Sequence, residues 1–506
     1  MIEYIKSNDL KAKCARGTFL LGAGTIADRG LAFISKMILV RILMPQEMGL
    51  MVLVLSLTMM FEVFTQIGVK QSVIQNPKGD TYEYMNMAWW FQAVRACAIY
   101  MIAFALSPWI CEFYFSGKSQ VMDYHSSSEL IMIVRIMFLA IVFIGIMSPG
   151  SYVLEKQFKF GKYLMIIQGS AVIGTLITVS LAFILRNVWA LVIGFWFTSF
   201  LKFIFSFIIC PFRPKFQYHK ESLIDILIFA KGMLGVPVLA YLALHLDVLV
   251  AGKMVSPALV GMYGMALSLV YIPVDLFSRI FVPVLLPAFS EKQNDTETLS
   301  KAVLHISKVV LLFAIPAIAL LMIYSKQVLT VVFGSRYSEV STTFTILCVY
   351  ILLLLNTKIF GNLFFALGKP HLHRKFVGLR VALVLLLIYP AVKNFGLIGV
   401  ALVLVVANFA GLWIQVNMLR SLISLRITAY LSCWISGLLL TVIVISVTGI
   451  MQTVSPSMPL LNMTVGLSCQ ILLLAIIFRS QNIFLARVEK AETAAKPAGE
   501  LGSDNV

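Results

Sequence analysis

The segment around Arg41, RILMPQEMGLMVLVLSL, is echoed 212 residues later around Lys253 as GKMVSPALVGMYGMALSL. Pro45, Gly49, Leu55, Ser56 and Leu57 recur without a gap as Pro257, Gly261, Leu267, Ser268 and Leu269. Each copy ends an apolar run at a base, turns at Pro and Gly and opens a second apolar run, so the repeated unit reads as a membrane hairpin. With 60% hydrophobic and only 12% charged residues, the chain is unlike a soluble globule, in which about a quarter of residues are charged. A duplicated polytopic chain of this kind points to a transporter, because many transport folds are built from internal repeats.

A membrane helix needs about 20 mostly apolar residues. Breaking the chain at its Pro, Gly, Asn and charge clusters yields fourteen such segments, near 17–40, 48–69, 86–110, 130–150, 163–184, 188–210, 230–251, 258–283, 303–324, 342–367, 376–392, 396–418, 428–449 and 460–478. Basic residues in short loops stay cytoplasmic. With the N-terminus inside, the tails and even-numbered connections hold 23 of the 40 Lys and Arg residues, against seven on the opposite side. Thirteen spans would carry Arg479, Arg487, Lys490 and Lys496 to the outer side, so fourteen spans with both termini cytoplasmic fit better.

The repeat continues past the hairpin. Leu154 and Lys156 match Leu367 and Lys369 at an offset of 213, and Asn187 matches Asn394 at 207. Six spans per copy is an even number, so the copies share one orientation about an axis along the membrane normal. The expected fold is all-α and polytopic: a six-helix bundle at 1–210, a second at 211–420, two added helices at 421–478 and a cytoplasmic tail at 479–506. The tail beyond Glu489 has a disorder-prone composition.

The net charge of +17 lies in short clusters between apolar runs, with no long basic face and no aromatic RNA-binding motif, which argues against nucleic acid. The seven cysteines are scattered, without metal-site spacing, and read as small core residues. No cleavable leader is read before the first span. No Walker loop or dinucleotide fingerprint occurs, so no cofactor and no ATP hydrolysis are expected.

Ionisable residues within spans are costly and invite a functional reading. Arg29 and Arg95 lie near mid-span in the first half, Lys36 two turns beyond Arg29 on the same face, and Arg135 toward the outer side. The deep acids there are Asp28 and Glu62. Adjacent helical residues diverge, so Asp28 leaves Arg29 free for a ligand unless Glu62 or Asp28 binds it across helices. Guanidinium groups grip phosphate or pyrophosphate bidentately. Arg29, Lys36, Arg95 and Arg135 are therefore substrate-binding candidates, with snorkelling an alternative for Arg135. In the second half Asp275 and Arg279, four residues apart, suit a local salt pair. Lys358, between Asn356 and Asn362 with no local acid, is that half's cationic candidate. His245 and Asp247 form a conceivable ion-coupling site, against a plain interfacial histidine, and Lys231 could meet a headgroup. Pro273, Pro283, Pro287 and Pro316 mark places where helices bend or are interrupted.

The stretch from Gly17 to Gln75, with KMILVRILMPQEMGLMVLV and FTQIGVKQSVIQ, resembles the polysaccharide-transport family of the MOP flippase superfamily. LEKQFKFGKY and ALGKPHLHRKF resemble its basic cytoplasmic loops. The likeness covers roughly residues 10–420. It implies a V-shaped pair of bundles that flips an undecaprenyl-pyrophosphate-linked oligosaccharide across a bacterial inner membrane by alternating access. A polysaccharide polymerase and a chain-length regulator are candidate partners beside the lipid bilayer. Two readings compete. A multidrug antiporter of the same superfamily would favour an acidic cavity, which the excess of deep bases opposes. A membrane polymerase or ligase would need an outer catalytic region, and the longest outer loop, near 111–129, offers no paired carboxylates.

Overall fold

The structure, a computed structural model, describes Gly24 and residues 27–64, 68–116, 125–157, 159–233, 235–455 and 458–475. The basic N-terminal residues and the tail bases fall outside them. Among the described residues, every segment expected to span is mainly helical. We number these helices α1 (27–42), α2 (Pro45–Phe64), α3 (Tyr82–Phe115), α4 (Ser127–Gly145), α5 (Phe160–Leu185), α6 (Trp189–Ile209) and α7 (Val236–Met254). They continue as α8 (Pro257–Ile280, bent), α9 (Thr296–Ile323), α10 (Ser341–Ala366), α11 and α12 (the two arms of Pro370–Ile423), α13 (Ile427–Val454) and α14 (Pro459–Ala475).

Ten described helices are long and apolar enough to cross a membrane, or eleven if the bent α8 pair is one span. The expected fourteen is reached only by dividing Pro370–Ile423 at Gly396 and admitting α1 and the shorter α14. The division has a physical basis. Fifty-four residues of unbroken helix would run about 80 Å, more than twice a hydrocarbon core of about 30 Å. At Gly396 the backbone turns to φ 55°, ψ −133°, which glycine adopts without steric cost.

Two expectations about local structure need correction. Pro273 does sit at a bend, where the two parts of α8 meet at 41°, but Pro316 does not interrupt α9, which continues through it. Lys231 belongs to a separate helix, Lys220–Met233, because the chain breaks before α7 at Gly235. Asp275 lies 3.4 Å from Arg29 of α1; the expected pair with Arg279 falls outside the described residues, which leave out that side chain.

The helix contacts are duplicated as the sequence is. In the first half α4 packs against α2, α3 and α6, and α5 against α6. In the second, α10 packs against α8, α9 and the α11–α12 segment. The added α13 lies along α9.

The echoed hairpins meet each other. Helices α2 and α8 cross at Gly49 and Gly261, where a methyl on Gly49 would overlap the Pro257 carbonyl oxygen and one on Gly261 the Pro45 carbonyl oxygen. Only hydrogen at both positions permits this backbone-to-backbone approach. The echoed bases also reach across reciprocally. Arg41 donates from Nη2 to the Val331 carbonyl at 2.6 Å, and Lys253 donates from Nζ to the Phe113 carbonyl. Each acceptor is in the last turn of its helix, Ser325–Phe333 and α3 respectively, where unpaired carbonyls favour a cation.

Candidate functional site

At the opposite ends of these helices the packing loosens and the charges gather. Fourteen residues of α1 separate Arg29 from Leu43, about 20 Å along the helix, so Arg29 lies most of a bilayer core away from the glycine crossing. Arg29 and Asp275 bridge the two halves there, with side chains still 53% and 46% exposed. Asp275 is within electrostatic range of Lys36 on α1 and of Lys358 on α10. The structure thus brings Arg29, Lys36 and Lys358 around one carboxylate.

Arg95 forms the first half's other polar group. Its Nη1 donates to the Glu62 backbone oxygen at 3.4 Å. Lys202 of α6 lies within electrostatic range of both Glu62 and Asp28. Arg29 and Asp28 therefore engage different partners, as expected for adjacent helical residues. Lys202 was not among the candidates, although it stands out as a lone base in the run FWFTSFLKFIFSF.

Three candidates stand apart. Arg135 donates from Nε to Ser107 Oγ at 2.9 Å and lies 3.9 Å from the Phe104 ring centroid, near the crossing end. These contacts occupy it within its own half. His245 stacks on Tyr241 with ring centroids 4.6 Å apart. Asp247, only 3% exposed, accepts from Tyr263 at 2.5 Å. His245 and Asp247 thus engage different partners, and the structure does not join them into one pair.

In the second half a cavity of about 490 Å³ opens between α7, α10 and α11, away from the crossing. Lys358, His373, Arg374 and Arg380 all line it, with Thr357. Arg380, at 7% exposure the most buried of these bases, donates to the Asn408 side-chain oxygen at 3.2 Å and to the Ala243 carbonyl at 2.7 Å. Both acceptors are neutral. A cation buried at mid-bilayer costs about 2.5–3.5 kcal/mol even by translocon-based scales, so its retention calls for a reason. The neighbouring asparagines are engaged elsewhere: Asn356 donates to Leu352 and accepts from Tyr430, and Asn362 donates to the Lys358 carbonyl. Arg380 was legible as an arginine inside the expected span 376–392, but only the fold shows which bases it joins.

At the crossing end, His125 lies between two carboxylates, with Nε2 3.2 Å from Glu47 and Nδ1 3.1 Å from Glu129. Glu47 also accepts from the Val188 backbone at 3.0 Å and Glu129 from Trp189 at 2.8 Å. The hydrogen bond to Glu47, with that to Glu129, holds the His125 ring above the usual histidine value despite its burial. No group of three or more His, Cys, Asp or Glu able to hold a metal occurs among the described residues.

Paired helix sets that cross at one end and gather bases at the other place the chain in a class, the MOP flippase fold. Among solved structures, the lipid II flippase MurJ in an inward closed conformation superposes with a TM-score of 0.75 at 14% identity, covering 92% of this chain and 99% of that one. An inward-facing multidrug-resistance MATE transporter of the MOP superfamily follows at 0.56 and 16%, covering 78% and 94%. Within that class, residues 38–342 match the family described as polysaccharide biosynthesis protein, and the chain belongs to it. The lipopolysaccharide biosynthesis protein WzxC of Escherichia coli K12 is 23% identical over 395 residues, 78% of each chain. The opening residues and basic loops pointed to this family and superfamily.

Proposed function

We propose that the protein flips lipid-linked oligosaccharide repeat units, carried on undecaprenyl pyrophosphate, across the bacterial inner membrane by alternating access. It does so for surface-polysaccharide biosynthesis, and it is not an enzyme. The single observation that carries this reading is the gathering of Arg29, Lys36 and Lys358, from both halves, about Asp275 at the end opposite the glycine crossing. A pyrophosphate carries several acceptor oxygens, and charge-assisted hydrogen bonds from Arg and Lys are about twice as strong as neutral ones.

In this reading residues 1–210 and 211–420 are two bundles hinged at Gly49 and Gly261, followed by the added helices of 421–478 and the tail at 479–506. Both termini face the cytoplasm, so the cleft opens inward. The headgroup enters there, displaces Asp275 from Arg29 and is held by Arg29 and Arg95, with Lys36 and Lys358. Rocking of the bundles parts the Arg41 and Lys253 straps and releases the load outside. Names of relatives support the substrate class: lipopolysaccharide biosynthesis for WzxC and lipid II for MurJ. Arg135, His245 and Asp247 take no part in this mechanism, and a polymerase and a chain-length regulator remain candidate partners.

The test is translocation of a labelled undecaprenyl-pyrophosphate oligosaccharide in proteoliposomes. Wild type should flip it, and Arg29→Gln combined with Arg95→Gln should lower the rate about 100-fold, two charge-assisted contacts being lost, at unchanged protein level. The Arg→Lys variants should retain part of the rate. Normal flipping by the double variant defeats the cationic-cleft mechanism; uptake of organic cations by wild type in place of flipping would move the chain to the drug-antiporter reading.

A further inference from the structure

We infer that the cavity between α7, α10 and α11 is a second anion site, taking the phosphorylated head of a polyprenyl lipid on the cleft-facing side of the second half. This deepens the flippase reading and rests on it.

The argument is one of charge and shape. Four nitrogen-bearing side chains, Lys358, His373, Arg374 and Arg380, converge on a space of about 490 Å³, a size within the range of small-molecule pockets, roughly 300–1,000 Å³. Among the described residues no carboxylate lines it. None of the ion pairs among the described residues uses Lys358, Arg374 or Arg380. The nearest acids bond elsewhere, Asp275 to Arg29 at 3.4 Å and Asp247 to Tyr263 at 2.5 Å, and reach this site only at longer electrostatic range, on Lys358 and Arg380 respectively. The buried Arg380 has only neutral partners, so its charge is neutralised by nothing within contact distance.

Position separates this site from the Arg29 group. Arg374 is exposed at its rim, on the first turns of α11, while Arg380 lies at its base nearly two turns further on. A head entering from the loop end would meet Arg374 first and Lys358 deeper, with Arg380 setting the potential behind them. His373 is fixed edge-on to Phe376, ring centroids 4.6 Å apart, and rests against Phe365 at the same distance. Its Nδ1 is buried with no hydrogen-bond partner among the described residues.

The rest of the lining decides which anion. Leu239, Leu244, Leu354, Phe365 and Val377 make the greater part of the wall apolar, and Leu244 and Phe365 are 39% and 47% exposed. A free inorganic ion gains nothing from such surface. A phosphate or pyrophosphate carrying an isoprenoid chain satisfies the cations and lays its first prenyl units on the apolar side. Lys358 shares electrostatic range with Asp275 on one side and Arg380 on the other, so it links this site to the Arg29 group and makes the cavity a loading position ahead of the cleft.

The experiment is binding to the full-length protein in nanodiscs, read by native mass spectrometry, with undecaprenyl pyrophosphate as probe and undecaprenol, inorganic pyrophosphate and phosphatidylglycerol as comparisons. Arg374→Gln should weaken undecaprenyl pyrophosphate binding about 10-fold, and Arg374→Lys should bind within a few-fold of wild type. Arg374 is exposed, so both variants should fold; Arg380 and Lys358, which the Arg29 group shares, are left intact. Undecaprenol should bind weakly and equally to all. Unchanged affinity in the Gln variant overturns the site, and so does displacement of the probe by equimolar inorganic pyrophosphate or phosphatidylglycerol. Failure of wild type to flip the linked oligosaccharide, with this binding pattern intact, would instead defeat the flippase reading and leave the lipid site standing.

Discussion

The two ends of the α2–α8 pair are built on opposite principles. At one end the helices touch backbone to backbone, with glycine facing glycine and each half's base capping a helix in the other. At the other end the same α8 reaches α1 through a half-exposed ion pair, and bases from both halves collect around it. Close van der Waals packing tolerates no insertion, whereas an exposed ion pair in a wet cleft can exchange partners at small cost. In the proposed mechanism the first end is the hinge and the second accepts the charged load.

The largest effect should come from breaking the crossing. Gly49→Ala or Gly261→Ala places a methyl onto a backbone carbonyl that cannot rotate away, costing about 3 kcal/mol. The expected readout is a fall in Tm of about 3 °C in detergent-solubilised protein, similar for both variants because the contacts are reciprocal. A variant as stable as wild type would show that the helices are not in contact there.

Next come the straps. Arg41→Ala and Lys253→Ala each remove one charge-assisted bond to a helix-terminal carbonyl at an exposed site, worth about 1 kcal/mol. Hydrogen exchange at the crossing should quicken by a similar factor in each variant, and the effects should add in the double variant, as for separated sites. Strongly unequal effects would break the equivalence of the two halves.

The smallest effect concerns pH. His125 is held above its ordinary value chiefly by the hydrogen bond to Glu47. Its contribution is full below the unfolded value of about 6.5 and is lost as pH rises through the elevated folded value. Wild type should therefore lose about 1 kcal/mol of stability relative to His125→Gln between pH 6 and 9, read as a converging pair of Tm curves. Parallel curves would mean that the histidine does not carry a proton in the folded protein.

Much of this fold was legible in the chain because a bilayer imposes simple demands. About 20 apolar residues must run between polar breaks, and each described segment read that way is helical. The Pro45–Gly49 and Pro257–Gly261 echo marked both hairpins, but not that they face one another. That required the two halves to be brought together. Boundaries set by conformation were harder: Gly235 could be seen as a break, yet the separate helix before it carries apolar residues enough to look like the start of a span.

For the candidate site, single residues were readable and groupings were not. Arg29, Lys36 and Lys358 are conspicuous as lone bases in apolar runs, so the cost of burying charge selected them. Arg279, four residues after Asp275, was the partner visible in the sequence; Arg29, 3.4 Å from Asp275, is 246 residues away and visible only in the fold. Arg135, equally conspicuous, is occupied by Ser107 and Phe104, a pairing set by how α4 lies on α3.

The amino-acid sequence by itself determined that the chain spans a membrane many times, that a hairpin at Pro45 is echoed at Pro257, and that lone bases interrupt its apolar runs. These follow from composition and periodicity, which act locally. Tertiary structure alone decided that the copies cross at Gly49 and Gly261, and that Lys358, Arg374 and Arg380 share one cavity. Helix rotation and packing set which side chains converge, and those depend on every neighbouring surface at once.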